Sequence, residues 1–170
     1  MATRKDVYRL TAGSLLLALS LAIPLTLAGT VSLTLGPFTA TPASHVPLML
    51  SMLFGPGIAA AVGLGSTIGF LPRLGPIVAM RAAMHMPVGI AGAWLVRRKV
   101  PFPLALAITA PVHALLEALI VLPFGYTLKS AGSVVALGTL VHHAVDSVIA
   151  VFFWGILFTK KGILRNVHVE

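Results

Sequence analysis

Six side chains of this 170-residue chain carry chemistry inside otherwise apolar segments: His45, Arg81, His85, Glu117, His142 and Asp146. Arg81 and His85 are four residues apart, as are His113 and Glu117, and His142 and Asp146, with His143 beside the last pair. A four-residue spacing puts both members of a pair on one face of a helix. An ionisable group in an apolar run is costly and normally faces a cavity, a partner or another charge. Imidazole with carboxylate suits zinc, nickel or iron, but Arg81 in the same layer repels a cation and no Cys accompanies the pairs, so no metal is expected. A buried arginine instead favours an anionic or carbonyl-rich solute. The plainer alternative is that Arg81 pairs with Glu117 or Asp146 to fix helix packing, with the histidines satisfied by backbone carbonyls.

The elements that must position these groups follow from composition. The chain is 58% apolar and 9% charged, contains no Cys and has a mean hydropathy of +1.00. A soluble domain is about 25% charged, so this chain lacks the polar surface for a water-facing shell. Six continuous apolar segments, at about 10–29, 44–54, 57–71, 76–96, 103–123 and 134–158, predict helices rather than the alternating strands of a barrel. The expected fold is an all-α integral membrane protein, with six transmembrane helices in one compact bundle and residues 1–170 forming a single domain. Gly55-Pro56-Gly57 marks a tight turn between the second and third segments. The first segment is about twice the length of a secretory signal's apolar core and carries Pro24, so it reads as a span.

The net charge of +8 acts here as a topology signal and not as a nucleic-acid footprint. With both termini cytoplasmic, Arg4, Lys5, Arg9, Arg97, Arg98, Lys99, Lys160, Lys161 and Arg165 fall inside, whereas only Arg73 and Lys129 fall outside. Trp94 and Trp154 then lie toward the cytoplasmic interface, where indoles anchor. Most of the intramembrane polar groups occupy the outer half, and the inner half is almost purely apolar. An ion channel needs polar groups through the whole depth; one-sided clustering predicts a binding cup reached from outside. The uncharged segment 30–44 is the longest outer loop.

Small residues recur every four positions in the first segment, at Ser14, Ala18 and Ala22, and in the third, at Gly57, Ala61, Gly65 and Gly69. Such rows allow close helix contacts within or between proteins. No Gly-x-x-x-x-Gly-Lys-Ser/Thr sequence is present, so if nucleotide hydrolysis drives transport, the motor is another protein. Gly-x-Ser-x-Gly and His-Glu-x-x-His are also missing, and an enzyme is not expected. The alternative from another class is a stand-alone proton-coupled transporter in which Glu117 and Asp146 titrate.

Taken in order, these features resemble the substrate-binding S components of energy-coupling factor (ECF) transporters for vitamins. Ala18-Leu-Ser-Leu-Ala22, with Ser14 one turn earlier, is similar to the first-helix motif that meets the transmembrane coupling subunit in that family. His45-Val-Pro-Leu-Met-Leu-Ser-Met-Leu-Phe-Gly-Pro-Gly, followed by Ala59-Ala60-Ala61-Val62-Gly63, is similar to the second and third helices of many members, and Met80-Arg81-Ala82-Ala83-Met84-His85 to the fourth. The resemblance covers essentially the whole chain. It implies a bacterial plasma-membrane protein that captures a vitamin from outside, with the first loop as a lid and His45, Arg81, His85, Glu117, His142 and Asp146 around the solute. Docking through Ser14, Ala18 and Ala22 on a coupling subunit with two ATPases would deliver the solute inside. The chain itself would bind no cofactor, ATP being used by the partners. Aromatic rings for stacking are scarce near the outer face, where only Phe38 and Tyr126 fall. The preferred solute is therefore cobalamin, held in room left by Gly and Ala on the third and fourth helices, with pantothenate or nicotinate next.

Overall fold

Thr3 and Asp6 open the first helix with reciprocal bonds. The Thr3 hydroxyl accepts from the Asp6 amide at 3.2 Å, and the Asp6 carboxylate accepts from the Thr3 amide at 3.0 Å, which satisfies amides that have no partner inside the helix. In the computed structural model, which describes residues 3–36 and 38–158, α1 (Arg4–Leu27) is followed by β1 (Leu33–Leu35), β2 (Phe38–Ala40), α2 (Val46–Ser51), α3 (Pro56–Ala83), α4 (His85–Arg97), α5 (Phe102–Ile120), α6 (Leu128–Ser130) and α7 (Leu137–Phe158). A π-helical stretch, Ala131–Ala136, joins α6 to α7. The expected inside cations Lys160, Lys161 and Arg165 lie outside the described residues.

Among the described residues, four stretches are long and apolar enough to cross a bilayer: Asp6–Leu27, Pro56–Arg97, Phe102–Phe124 and Leu128–Leu157. The second has 42 residues, about 63 Å of helix against a hydrocarbon layer of about 30 Å. It is broken at Gly75, whose φ of 80° and ψ of −177° suit glycine alone, and again at Met84 between α3 and α4. The last stretch begins earlier than the expected residue 134, because the Thr127 hydroxyl caps the Ser130 amide at 3.1 Å.

Two expectations are corrected. The fold is not purely helical: Leu33 pairs with Ala40, Thr34 with Thr39 and Leu35 with Phe38 in an antiparallel hairpin within the loop that follows α1. The segment 44–54, expected as a span, is α2 plus a 3-10 turn (Met52–Phe54), with every residue from 46 to 54 buried. It packs on α1, α3, α4 and α7, so protein rather than lipid surrounds its short backbone.

α1 packs chiefly on α3, α3 on α4, and α5 on α7. The glycines of α3 and α4 allow these contacts. A Cβ at Gly63 would lie 2.7 Å from the Met86 backbone nitrogen, and one at Gly89 would lie 2.8 Å from Leu48. The small-residue row of α3 is divided: Gly65 and Gly69 bury against α1, while Gly57 and Ala61 are exposed. On α1, Gly13, Leu16 and Ser20 are buried, and Ser14, Ala18 and Ala22 are exposed on another face. Val141, Val145, Val148 and Phe152 form an exposed apolar stripe along α7, a surface suited to lipid and costly in water.

One end of the bundle gathers cations. Arg9 donates to the Phe54 carbonyl at 2.8 Å, and a Cβ on Gly55 (φ 108°) would lie 3.1 Å from both Arg9 and Arg97. Arg98 sits 3.6 Å from the Trp94 ring centre. At the hairpin end, Arg73 donates to the Ala28 carbonyl through Nε and Nη2, at 3.3 and 3.2 Å.

Close approach of α3 and α4 predicts opposite responses to the same substitution. Gly63→Ala is expected to destabilise by about 1–3 kcal/mol through overpacking. Gly57→Ala, with nothing within 4 Å of its added carbon, should be neutral or stabilising by up to about 1 kcal/mol. Thermal unfolding in detergent distinguishes them, and equal midpoints would contradict the packing described.

Candidate functional site

The break at Met84 brings Arg81 and His85, on consecutive helices, against residues of α5 and α7. His45, Arg81, His85, His113, Glu117, Thr139, His143 and Asp146 are each at most 3% exposed, and buried polar groups must find partners. Glu117 Oε2 accepts from Arg81 Nε at 3.1 Å, from Arg81 Nη2, and from the Thr139 hydroxyl at 2.6 Å. Its other oxygen, Oε1, faces His113 Nε2 at 3.3 Å and His85 Nε2 at 3.8 Å. The pairing that the sequence left open is therefore Arg81 with Glu117.

Asp146 does different work. Its oxygens accept from the backbone amides of Ala43 at 3.1 Å and His45 at 2.9 Å. His142 Nε2 lies 3.2 Å from Asp146 Oδ2 and 3.1 Å from the Thr41 carbonyl; both are acceptors, so this nitrogen donates. The carboxylate thus fastens the end of the loop between α1 and α2 to α7.

The hairpin reaches the same cluster from the end of the bundle where α1 stops. Arg81 Nη1 donates to the Thr39 hydroxyl at 3.3 Å, and its guanidinium carbon lies 5.2 Å from the Phe38 ring centre. Phe38 is buried against Gly138, where an added Cβ would fall 2.8 Å from the ring. The five histidines pack together: His45 has ring-centre distances of 4.8 Å to His85 and to His113 and 4.2 Å to His142, and His113 lies 5.3 Å from His143.

Between hairpin and cluster is a polar cavity of about 20 Å³, lined by Thr39, Thr41, Ser44, His45, Arg81, His85, Glu117 and His142 among others. That is room for about one water. A larger groove, about 850 Å³, runs between the hairpin and α7; its lining is mostly apolar, and it meets the cluster at His142 and Asp146. Size favours the groove, but the small cavity holds the arginine and the convergent donors that fix orientation and specificity.

All six residues expected from the sequence converge here. His113 and His143 prove central, although only the pairing of His113 with Glu117 and the adjacency of His143 to His142 marked them. Thr39, Thr41, Ser44, Ser66 and Thr139 carried no signal, because hydroxyl residues are common in every segment type. Ser14, Ala18 and Ala22 lie elsewhere, on the outer face of α1. His45, His85, His113 and Glu117 place one potential ligand atom each within 4.8 Å of one another, and so do His45, His142 and Asp146.

No family model and no solved structure matches the chain. It is 34% identical over 160 residues to the niacin transporter NiaX of Lactococcus lactis subsp. cremoris (strain MG1363), a match covering 84% of this chain and 71% of the relative. The chain belongs to the S components of ECF transporters for vitamins. As an S component it is a multi-pass cell-membrane protein, which accounts for the exposed valine and leucine faces of its helices. The cluster around Arg81 is the polar centre of that S component.

Breaking a buried ion pair by removing one partner costs about 3–5 kcal/mol, whereas replacing both by apolar residues is often neutral. Glu117→Leu and Arg81→Met are each expected to lower unfolding stability by that amount, and the double variant by less than either. Additive losses in thermal or denaturant unfolding would show that the two side chains do not act as a pair.

Proposed function

We propose that this S component captures nicotinate from outside the cell and delivers it through a coupling subunit driven by two ATPases. One observation carries this reading: Arg81 is buried yet turns Nη1 to the hairpin residue Thr39 at the polar cavity. A solute carboxylate that displaced Thr39 would gain a charge-assisted bond in a low-dielectric site, while Nε and Nη2 stay on Glu117. Phe38 beside the guanidinium supplies an aromatic face for a pyridine ring. The name of the relative, niacin transporter, supports the same solute.

Cobalamin gives way to nicotinate for a physical reason. The room expected from Gly and Ala on α3 and α4 is filled by helix contacts at Gly63, Gly89 and Gly92. A single-ring acid needs only displacement of the hairpin, whereas a corrinoid needs the helices themselves to part. Pantothenate shares the carboxylate but lacks the ring.

In this reading the chain passes from one membrane face to the other six times: by α1, by the loop after α1 together with the short enclosed α2 arm, by the two limbs of 56–97 on either side of Gly75, by α5, and by the helix from Leu128. The end bearing Arg9, Arg97 and Arg98 faces the cytoplasm with both termini, in keeping with the excess of cations there. Ser14, Ala18 and Ala22 present the contact face for the coupling subunit. Asp146 is engaged by two backbone amides and His142, and Glu117 by Arg81 and Thr139. Carboxylates held this way argue against the stand-alone proton-coupled alternative.

Nicotinate is expected to raise the thermal midpoint of the purified protein, with about 2.7 kcal/mol of stabilisation at a hundredfold excess over Kd. Nicotinamide should give a smaller shift, cobalamin and pantothenate none, and Arg81→Gln should remove the response to nicotinate. A shift with cobalamin, or one with nicotinate that survives Arg81→Gln, would overturn the assignment. Separately, Ala18→Trp should abolish co-purification with the coupling subunit while leaving the nicotinate shift intact; retained co-purification would remove α1 from the docking face.

A further inference from the structure

Three imidazoles and one carboxylate meet beside the solute cavity. The rings of His45, His85 and His113 have centres 4.8 to 5.1 Å apart and interplanar angles of 76° to 89°, so they meet edge to face instead of stacking. With Glu117 they place four potential ligand atoms within 4.8 Å of one another. A tetrahedral zinc ion with bonds of about 2.0–2.1 Å sets its ligands roughly 3.4 Å apart, so modest side-chain rotation closes the set.

The direction of one lone pair follows from the hydrogen bonds. His143 Nε2 lies 3.1 Å from the Leu106 carbonyl, which only accepts, so that nitrogen carries a hydrogen. Nδ1 of a neutral His143 is then an acceptor, and His113 Nδ1, 3.0 Å away, donates to it. His113 Nε2 is left as a lone pair, 3.3 Å from the acceptor Glu117 Oε1. Its contact with Glu117 is not aligned as a hydrogen bond, and neither is that of His45 Nδ1, which lies 3.3 Å from Asp146 Oδ2. Formal charge gives the same answer. Among the buried described residues, Arg81 contributes one positive charge and Glu117 and Asp146 two negative ones, a sum of −1 before any imidazole is counted. Two acceptors facing each other in a net negative interior require a cation between them.

The far nitrogens are also held. Ser66 engages His85 Nδ1 at 3.0 Å, and His143 engages His113 Nδ1, the outer-shell arrangement that fixes tautomer and ring orientation in metal sites. Arg81, which disfavoured a metal when only its depth was known, bonds Oε2 of Glu117 and leaves Oε1 to the imidazoles. A proton would need only one nitrogen–oxygen contact, whereas three edge-on imidazoles match the ligand number of a metal ion.

We propose that His45, His85, His113 and Glu117 bind one divalent cation of the zinc class, with His143 as a positioning residue. The ion changes the buried formal charge from −1 to +1, the complement of a monoanionic solute. That complementarity rests on the nicotinate reading; the cation site itself does not.

The test uses full-length protein purified without a polyhistidine tag, stripped with chelator and titrated with Zn²⁺ or Co²⁺ alone. One equivalent of Zn²⁺ per chain, a raised thermal midpoint and visible ligand-field absorption of bound Co²⁺ are expected. His85→Gln and His113→Gln should abolish the absorption, and His143→Phe should weaken zinc binding about 10- to 100-fold. Ser51→Ala, whose hydroxyl bonds only the Leu48 carbonyl, should keep full affinity. Folded wild-type protein that binds nicotinate but takes up neither ion would overturn the proposal and assign the missing positive charge to a proton. Zinc uptake without any nicotinate response would leave the cation site standing and remove only the solute assignment.

Discussion

Glu117 is where four helices of this protein come together, and the energetic demands of that one carboxylate organise the rest. A carboxylate in a membrane interior must be paired and hydrogen-bonded or it is not tolerated. Arg81 from α3 and Thr139 from α7 share one oxygen, while His113 from its own helix and His85 from α4 face the other. Each helix end must therefore sit at a fixed depth and rotation. The break at Met84 is part of that arrangement, since it places Arg81 and His85 on consecutive helices that both meet Glu117.

Asp146 extends the same logic outward. By accepting the amides of Ala43 and His45 it turns the end of the loop between α1 and α2 into a fixed strut. The hairpin ahead of that strut delivers Phe38 and Thr39 onto the guanidinium. The cavity beneath has room for about one water, so the proposed capture of nicotinate requires the hairpin to move. Division of labour between a fixed carboxylate network and a hairpin suits a subunit that binds solute itself and draws energy from partners.

Much of this was legible in the residues. Continuous apolar runs marked the long helices, Gly55-Pro56-Gly57 marked a turn, and the three i,i+4 pairs located the cluster, because helical periodicity and the cost of buried charge act locally. The hairpin was less visible: Leu33-Thr-Leu and Phe38-Thr-Ala do alternate, but three-residue strands are too short for alternation to stand out. Which acid Arg81 would meet, and that Asp146 would serve the loop, depended on how α5 and α7 pack, which no spacing encodes. The preference for a large solute finds no support, for a related reason. Glycine on a helix reads equally as room for a ligand or as room for another backbone, and only the contacts at Gly63 and Gly89 decide between them.

The most direct test of the central claim is an experimental structure of the protein with nicotinate bound. The account predicts the carboxylate of nicotinate within hydrogen-bond reach of Arg81, Thr39 displaced from the guanidinium, and the Arg81–Glu117 pair intact. Nicotinate seated in the apolar groove between the hairpin and α7, with Thr39 still on Arg81, would contradict it.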